Sequence, residues 1–142
     1  MAAAINSPEA NVELLRNALE AFNRSELDVC TQLLTPDFII NLAGVPYQMH
    51  GRDVWKQGAE VMKTGFPDIR LQIKDIFASA DRVAVRLTFR GTHTGEFQGI
   101  DATGRAVEYT SIEIYRVSGG LIAEEWICSD MATLMQQIGG DA

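Results

Sequence analysis

Positive charge is scarce in this chain. Twelve Lys and Arg stand against nineteen Asp and Glu, for a formal net charge of −7. Nucleic acids and anionic membranes attract basic surfaces, so neither is expected as a partner. Cysteine is rarer still. Cys30 and Cys128 both sit inside apolar patterns and read as buried free thiols of a reducing compartment, not as a disulfide. The only histidines, His50 and His93, lack metal-site spacing, so no metal is expected. No apolar run approaches the roughly 20 residues of a membrane helix. Met1-Ala2-Ala3-Ala4-Ile5 lacks the charge and length of a signal peptide. Asn23-Arg24-Ser25 matches a glycosylation sequon but without a secretion signal reads as chance. A cytoplasmic protein is the expectation.

Cofactor fingerprints are missing too. Gly91, Gly95 and Gly99 are evenly spaced after a strand pattern, but no helix pattern follows, so they make no dinucleotide fingerprint. There is no phosphate loop and no Gly-x-Ser-x-Gly elbow, which argues against a bound cofactor and a nucleophilic triad.

What is present suits one domain over residues 1–142, with 46% apolar and 22% charged residues and enough chain for a core without staples. Ser7-Pro8-Glu9 has the form of a helix start, and Val12, Leu15, Ala18, Leu19 and Phe22 recur at helical spacing over 8–23. Ser25-Glu26-Leu27-Asp28 resembles a capping box opening a short helix over 26–34. Phe38–Leu42 reads as a short strand, followed by a polar loop through Tyr47 and His50. A third helix spans about Arg52–Lys63, with Gly65 as its left-handed cap. The period then becomes two. Ile69, Leu71 and Ile73 alternate with polar residues, a turn falls at Ser79–Arg82, and Val83, Val85, Leu87 and Phe89 mark one buried face. A long strand over Val107–Val117 meets its partner through Gly119-Gly120. Met131, Leu134, Met135 and Ile138 end the chain as a short helix stopped by Gly139-Gly140. Helices first and hairpin-joined strands later predict an α+β fold, a curved antiparallel sheet packed on N-terminal helices and enclosing a pocket.

The stretch from Leu121 to Asp130 is apolar on both alternating sets yet holds Glu124, Glu125 and Asp130. It predicts a central strand covered on both sides, and acids there must be paired, hydrogen-bonded or neutral. Asp130 shares the parity of Trp126. It is a candidate acid or base, and equally a cap for the helix opening at Met131. Glu113 lies mid-strand with Ser111 and Tyr115 on its own face and Tyr109 a step beyond. That is either a buried polar cluster around a ligand or a wet face paired to Arg86 or Arg90. His93 shares the parity of Leu87 and Phe89, as a proton-transfer group or a satisfied core histidine. Trp55 and Met62 at helical spacing read first as core.

Several runs resemble the SnoaL-like polyketide cyclase family. They are Gly91–Ile100, Thr103-Gly104-Arg105, Gly120–Trp126 through Asp130, and Gln137-Ile138-Gly139, with Phe66-Pro67-Asp68 and Asp81–Arg86 also fitting. The similarity covers most of the chain from about Asn11. It implies the cone-shaped α+β fold of the nuclear transport factor 2-like superfamily, commonly dimeric or higher. It also implies intramolecular aldol chemistry with no cofactor or metal and an aspartate as general acid/base. In the family that acid directly follows the position of Trp126, where this chain has Ile127. A family histidine corresponds to Glu113, and many relatives carry histidine at Asn41. His93 and Asp130 match the pattern.

The resulting expectation is a cofactor-independent cyclase or isomerase acting on a small, largely apolar carbonyl compound. Asp130, Glu113 and His93 are the candidate catalytic groups. Trp126, Tyr109, Ile127, Asn41, Tyr47, Trp55 and Phe97 are the candidate substrate contacts. A homodimer or higher homo-oligomer is the expected assembly. The alternative is a non-catalytic ligand-binding or dimerisation module of the same fold, which the missing acid at 127 favours. An epoxide hydrolase would want an arginine between two acids, and none is placed so here.

Overall fold

The structure is a computed structural model and describes residues 7–139. Gly140 and the Met1–Ile5 stretch lie outside the described residues. Helix α1 (Pro8–Asn23) opens where Ser7 accepts a hydrogen bond from the Ala10 N–H at 3.0 Å, with proline in the first turn. Helix α2 is Leu27–Gln32, strand β1 Leu34–Leu42, strand β2 Met49–His50 and helix α3 Arg52–Gly65. Strands β3 (Arg70–Ser79), β4 (Arg82–Thr92), β5 (Ala106–Ser118) and β6 (Leu121–Ser129) follow, then helix α4 (Met131–Gln137).

The six strands form one curved, open sheet in the order β2-β1-β6-β5-β4-β3. Every neighbouring pair is antiparallel except β1 with β6. β6 is thus the central strand expected of the Leu121–Asp130 stretch. The helices lie against the concave face, and α1 supplies Leu15 and Leu19 to the main core with Phe38, Leu87 and Ile122. A second cluster at the α4 end gathers Phe66, Phe97, Tyr109, Leu134 and Ile138. Phe22 and Phe89 touch both clusters.

Four local expectations change. No capping box forms at α2, because Ser25 takes a left-handed backbone (φ 59°) and no side chain caps the helix. Gly65 is helical and buried, not a left-handed cap. Its lack of a side chain admits Phe97, whose Cβ would lie 2.8 Å from a Cβ at 65. β6 is not covered on both sides, since Cys128 is exposed and Trp126 half-exposed on the outer face. Cys128 is therefore not a buried thiol. Cys30 is buried, with its thiol 3.5 Å from the Ala18 carbonyl and pushed up to about 11 by that burial.

One irregularity sets the faces of β6. Val117 pairs with Ile122 and Arg116 with Glu124, so one step on β5 meets two on β6. The extra residue is Ala123, a bulge. It puts Ile122, Glu125 and Ile127 on the concave face, and Glu124, Trp126 and Cys128 on the outer face. Strict alternation would have grouped Ile122 with Trp126 and Cys128.

Candidate active site on the concave face

Directly paired residues in a sheet share a face, so the register lays out the concave face. One row runs Leu42, Ile127, Glu113, Val85, Ile76 and the next Ile40, Glu125, Tyr115, Val83, Ala78. A third joins Ser129, Ser111, Leu87 and Ile73. Most of this face is aliphatic. Its polar members, Ser129, Ser111, Glu113, Tyr115 and Glu125, form a band across β5 and β6.

Glu113 is 5% exposed. It accepts hydrogen bonds from the Ser111 hydroxyl at 2.7 Å and from the Tyr115 phenol. Ser111 has one proton, which it gives to Glu113, so its 2.8 Å contact with Ser129 makes Ser129 the donor there. Burial pushes the Glu113 carboxyl up, while both hydrogen bonds pull it back. Glu125 is 2% exposed, and its carboxyl has no hydrogen-bond partner among the described residues. Burial and the nearby Glu113 raise it well above the usual carboxyl range. Tyr109 stacks on Phe89 with ring centroids 5.0 Å apart, and burial raises its phenol.

The wet-face reading of Glu113 fails, because Arg86 pairs with Asp75 at 2.6 Å and Arg90 with Glu108 at 2.7 Å on the outer face. Of the predicted groups, Glu113 and Ile127 pair directly on the concave face, while Tyr109 lies further along β5 in the second cluster. Asp130 does not join them. It is exposed and caps α4, accepting from the Thr133 N–H at 3.1 Å and the Thr133 hydroxyl at 2.7 Å, which lowers its carboxyl. His93 is fully buried but lies apart from the band, against Phe66 with ring centroids 5.4 Å apart. Its Nδ1 accepts from the Thr103 N–H at 3.3 Å and meets the Thr103 hydroxyl at 2.9 Å, and its Nε2 has no partner.

Other predicted contacts face elsewhere. Trp126 lies on the outer face with the Arg82 guanidinium 4.8 Å from its ring centre. Asn41 is also on that face and donates to Glu124 at 3.0 Å and to the Glu125 backbone carbonyl at 2.9 Å. Tyr47 is 66% exposed. Trp55 packs half-buried against the main core, and Phe97 is buried in the second cluster. Sequence reasoning did not single out Glu125 as a candidate for the site. Its i±2 neighbours Ala123 and Ile127 are apolar, but so are Ile122 and Trp126 around Glu124, and only the bulge separates the two acids. A shallow groove of about 410 Å³ opens on the outer face, lined by Ile112, Ile114, Trp126 and Cys128 and reaching Asn41, Leu42 and Ile127 at the β1–β6 end. Among the described residues no group of three or more His, Cys, Asp or Glu is placed to hold a metal ion, and no helix is long and apolar enough to cross a membrane.

A curved open sheet over helices, with a buried acid and hydroxyl band in its hollow, defines the class as the cone-shaped α+β fold of the nuclear transport factor 2-like superfamily. Within that class, the profile of the SnoaL-like polyketide cyclases matches residues 12–138, and the chain belongs to that family. Among solved structures, IdmH, a candidate polyketide cyclase from Streptomyces antibioticus, is 34% identical with a TM-score of 0.80, covering 91% of this chain and 98% of its own. AclR, a candidate hydroxylase from Streptomyces galilaeus, is 31% identical with a TM-score of 0.86, covering 94% and 83%. A candidate SnoaL-like polyketide cyclase from Jannaschia sp. CCS1 is 20% identical with a TM-score of 0.86, covering 95% of each chain, and supports the fold alone. No curated protein matches the chain.

Proposed function

We propose that the protein is a cofactor-independent cyclase or isomerase that works by acid–base chemistry on a small, largely apolar carbonyl compound such as a polyketide intermediate. The observation that carries this reading is Glu113, a carboxyl buried on the largely aliphatic concave face and held by Ser111 and Tyr115. A buried carboxyl with a raised proton affinity is suited to take a proton from carbon next to a carbonyl near neutral pH. It stands on the strand next to Ile127, which occupies the family's acid position, and directly opposite that residue in register. The acid has thus moved one strand over while still facing the same hollow. Half-buried Ile127 and buried Val85 flank it in the sheet.

A homodimer through the outer face belongs to this reading. Phe77, Ala84, Ile114 and Trp126 form one row across the sheet, with Phe77 64% and Ile112 60% exposed. Two free cysteines suit cytoplasmic residence.

The second reading, a non-catalytic ligand-binding or dimerisation module, is favoured by Ile127 at the family's acid position. Incubation in D2O with linear ketones and β-ketoesters of increasing chain length, followed by mass spectrometry, separates the two. Acid–base catalysis predicts α-deuteration above the buffer rate and a ring-closed or isomerised product from the reactive members. Binding with neither result supports the module.

A further inference from the structure

Glu124 and Glu125 are adjacent, and the bulge at Ala123 sends them to opposite faces. Glu124 meets Arg116 at 3.1 Å and Asn41 at 3.0 Å. Glu125, only 2% exposed, meets no donor among the described residues. It lies diagonally across from Glu113, one register step away, a spacing of about 7–8 Å between backbones and somewhat less between side-chain roots. The groups facing the pair are few. β5 offers Ser111, Tyr109 and Tyr115, and β6 offers Ser129. β1 and β4 present apolar side chains there, and α1 supplies Leu15 and Leu19 together with the buried amide of Asn11, whose Nδ2 donates to the Ala80 carbonyl at 3.4 Å and whose Oδ1 has no partner. Lys63 of α3 is engaged elsewhere, donating to the Phe22 carbonyl at 2.8 Å. Among the described residues no cation pairs with either acid, and two bare carboxylates this close in a buried, largely apolar setting cannot both ionise cheaply.

We propose that the two acids form an unequal pair, in which Glu125 is held protonated and donates to a substrate carbonyl oxygen while Glu113 is the anionic base. This rests on the acid–base reading and divides its roles. Glu113 has two donors to stabilise an anion, and Glu125 has none, so the single negative charge settles on Glu113. Burial and the Glu113 charge act in the same direction on Glu125, whereas the two hydrogen bonds oppose burial at Glu113.

The chemistry balances. Glu113 takes the proton from the carbon next to the carbonyl, the C–H electrons form the C=C bond, and the C=O π electrons move to oxygen, which takes the proton of Glu125. The product is a neutral enol. In ring closure the enol O–H returns its proton to Glu125 as its C=C electrons form a bond to a second carbonyl carbon of the same molecule. The oxygen of that carbonyl takes the proton held by Glu113. Both acids end as they began, with no other reactant. The substrate class is therefore a compound with an enolisable carbonyl and a second carbonyl within reach.

The test uses the apo protein with 13C-labelled glutamate carboxyls, titrated by NMR in the wild type, Glu113→Gln and Glu125→Gln. At neutral pH Glu125 is expected to carry the shift of a neutral acid and Glu113 that of an anion. Glu113→Gln should lower the Glu125 midpoint by about one unit or more, because it removes the anion. Glu125→Gln should move Glu113 less. Infrared spectroscopy of the unmutated protein should show one buried neutral carboxyl at neutral pH, which keeps the test independent of variant folding. Two anions, two neutral acids or the reverse order would overturn the pairing. α-Deuteration with the wrong protonation pattern would sink the pair alone. The right pattern with no α-deuteration would sink the acid–base reading alone.

Discussion

The two faces of β5 and β6 treat carboxylates in opposite ways. On the outer face every acid of these strands has a basic partner, Glu108 with Arg90 and Glu124 with Arg116. On the concave face, among the described residues, Glu113 has only hydroxyl donors and Glu125 has none. The outer pattern is what structure alone requires, since a partly buried charge is stable when paired. The inner pattern costs stability and has no packing rationale. Burying an unsatisfied carboxyl beside a second carboxyl is tolerated where a site needs it.

The largest effect that would break this comparison is on turnover. On whichever carbonyl substrate is processed, Glu113→Gln is expected to cut kcat/KM by about 10²–10⁴-fold, the usual contribution of a general base, with the fold retained by circular dichroism. Next, the same substitution at neighbouring positions should change sign. Glu124→Met strands Arg116 and Asn41 and should lose about 1–3 kcal/mol in urea denaturation. Glu125→Met removes a desolvated carboxyl that has no hydrogen-bond donor among the described residues and should gain about 1–3 kcal/mol.

The pH dependence sharpens the same point. A carboxyl raised in the folded state stays protonated there while its unfolded counterpart ionises. The unfolded state is therefore favoured increasingly as pH rises from the ordinary carboxyl range, about 4.3, through the raised folded value. Wild-type stability should include this loss, and Glu125→Met should remove the part due to Glu125. Its advantage over wild type is then larger in mildly alkaline than in mildly acidic buffer, as denaturation midpoints at the two conditions would show. A smaller effect is expected at Asp130, where alanine removes the α4 cap, at a cost of about 1 kcal/mol in the same assay, and leaves turnover unchanged. The smallest concerns thiols. Cys128 should react with maleimide in the native protein and Cys30 only on unfolding. Protection of Cys128 at high protein concentration would mark the outer face as the dimer contact.

Most of the fold was legible in the sequence because its signals are local. The period-two run of β5, the Gly119-Gly120 turn and the Ser7-Pro8 start each dictate structure within a few residues, and all three stand as expected. The arrangement of the candidate site was half legible. Glu113 announced itself by Ser111 and Tyr115 at the same parity. Glu125 did not, because its face depends on Ala123, an alanine that carries no local bulge signal and whose effect appears only in the pairing with β5. The same bulge removed Trp126 from the hollow. Asp130 was ambiguous for a different reason, since aspartate before a helix is favoured as a cap whatever else it does. Gly65 misled through a similar overlap. A glycine near a helix end reads as a left-handed cap, while here it makes room for Phe97 from a segment some thirty residues later.

The central claim is that the concave-face carboxyl moves protons on carbon. The most direct measurement is the rate of α-deuteration of a bound ketone in D2O by the wild type and by Glu113→Gln. The prediction is exchange well above the buffer rate for the wild type and a fall to near the buffer rate for the variant. Equal rates in the two proteins, or no exchange by either despite binding, would contradict it.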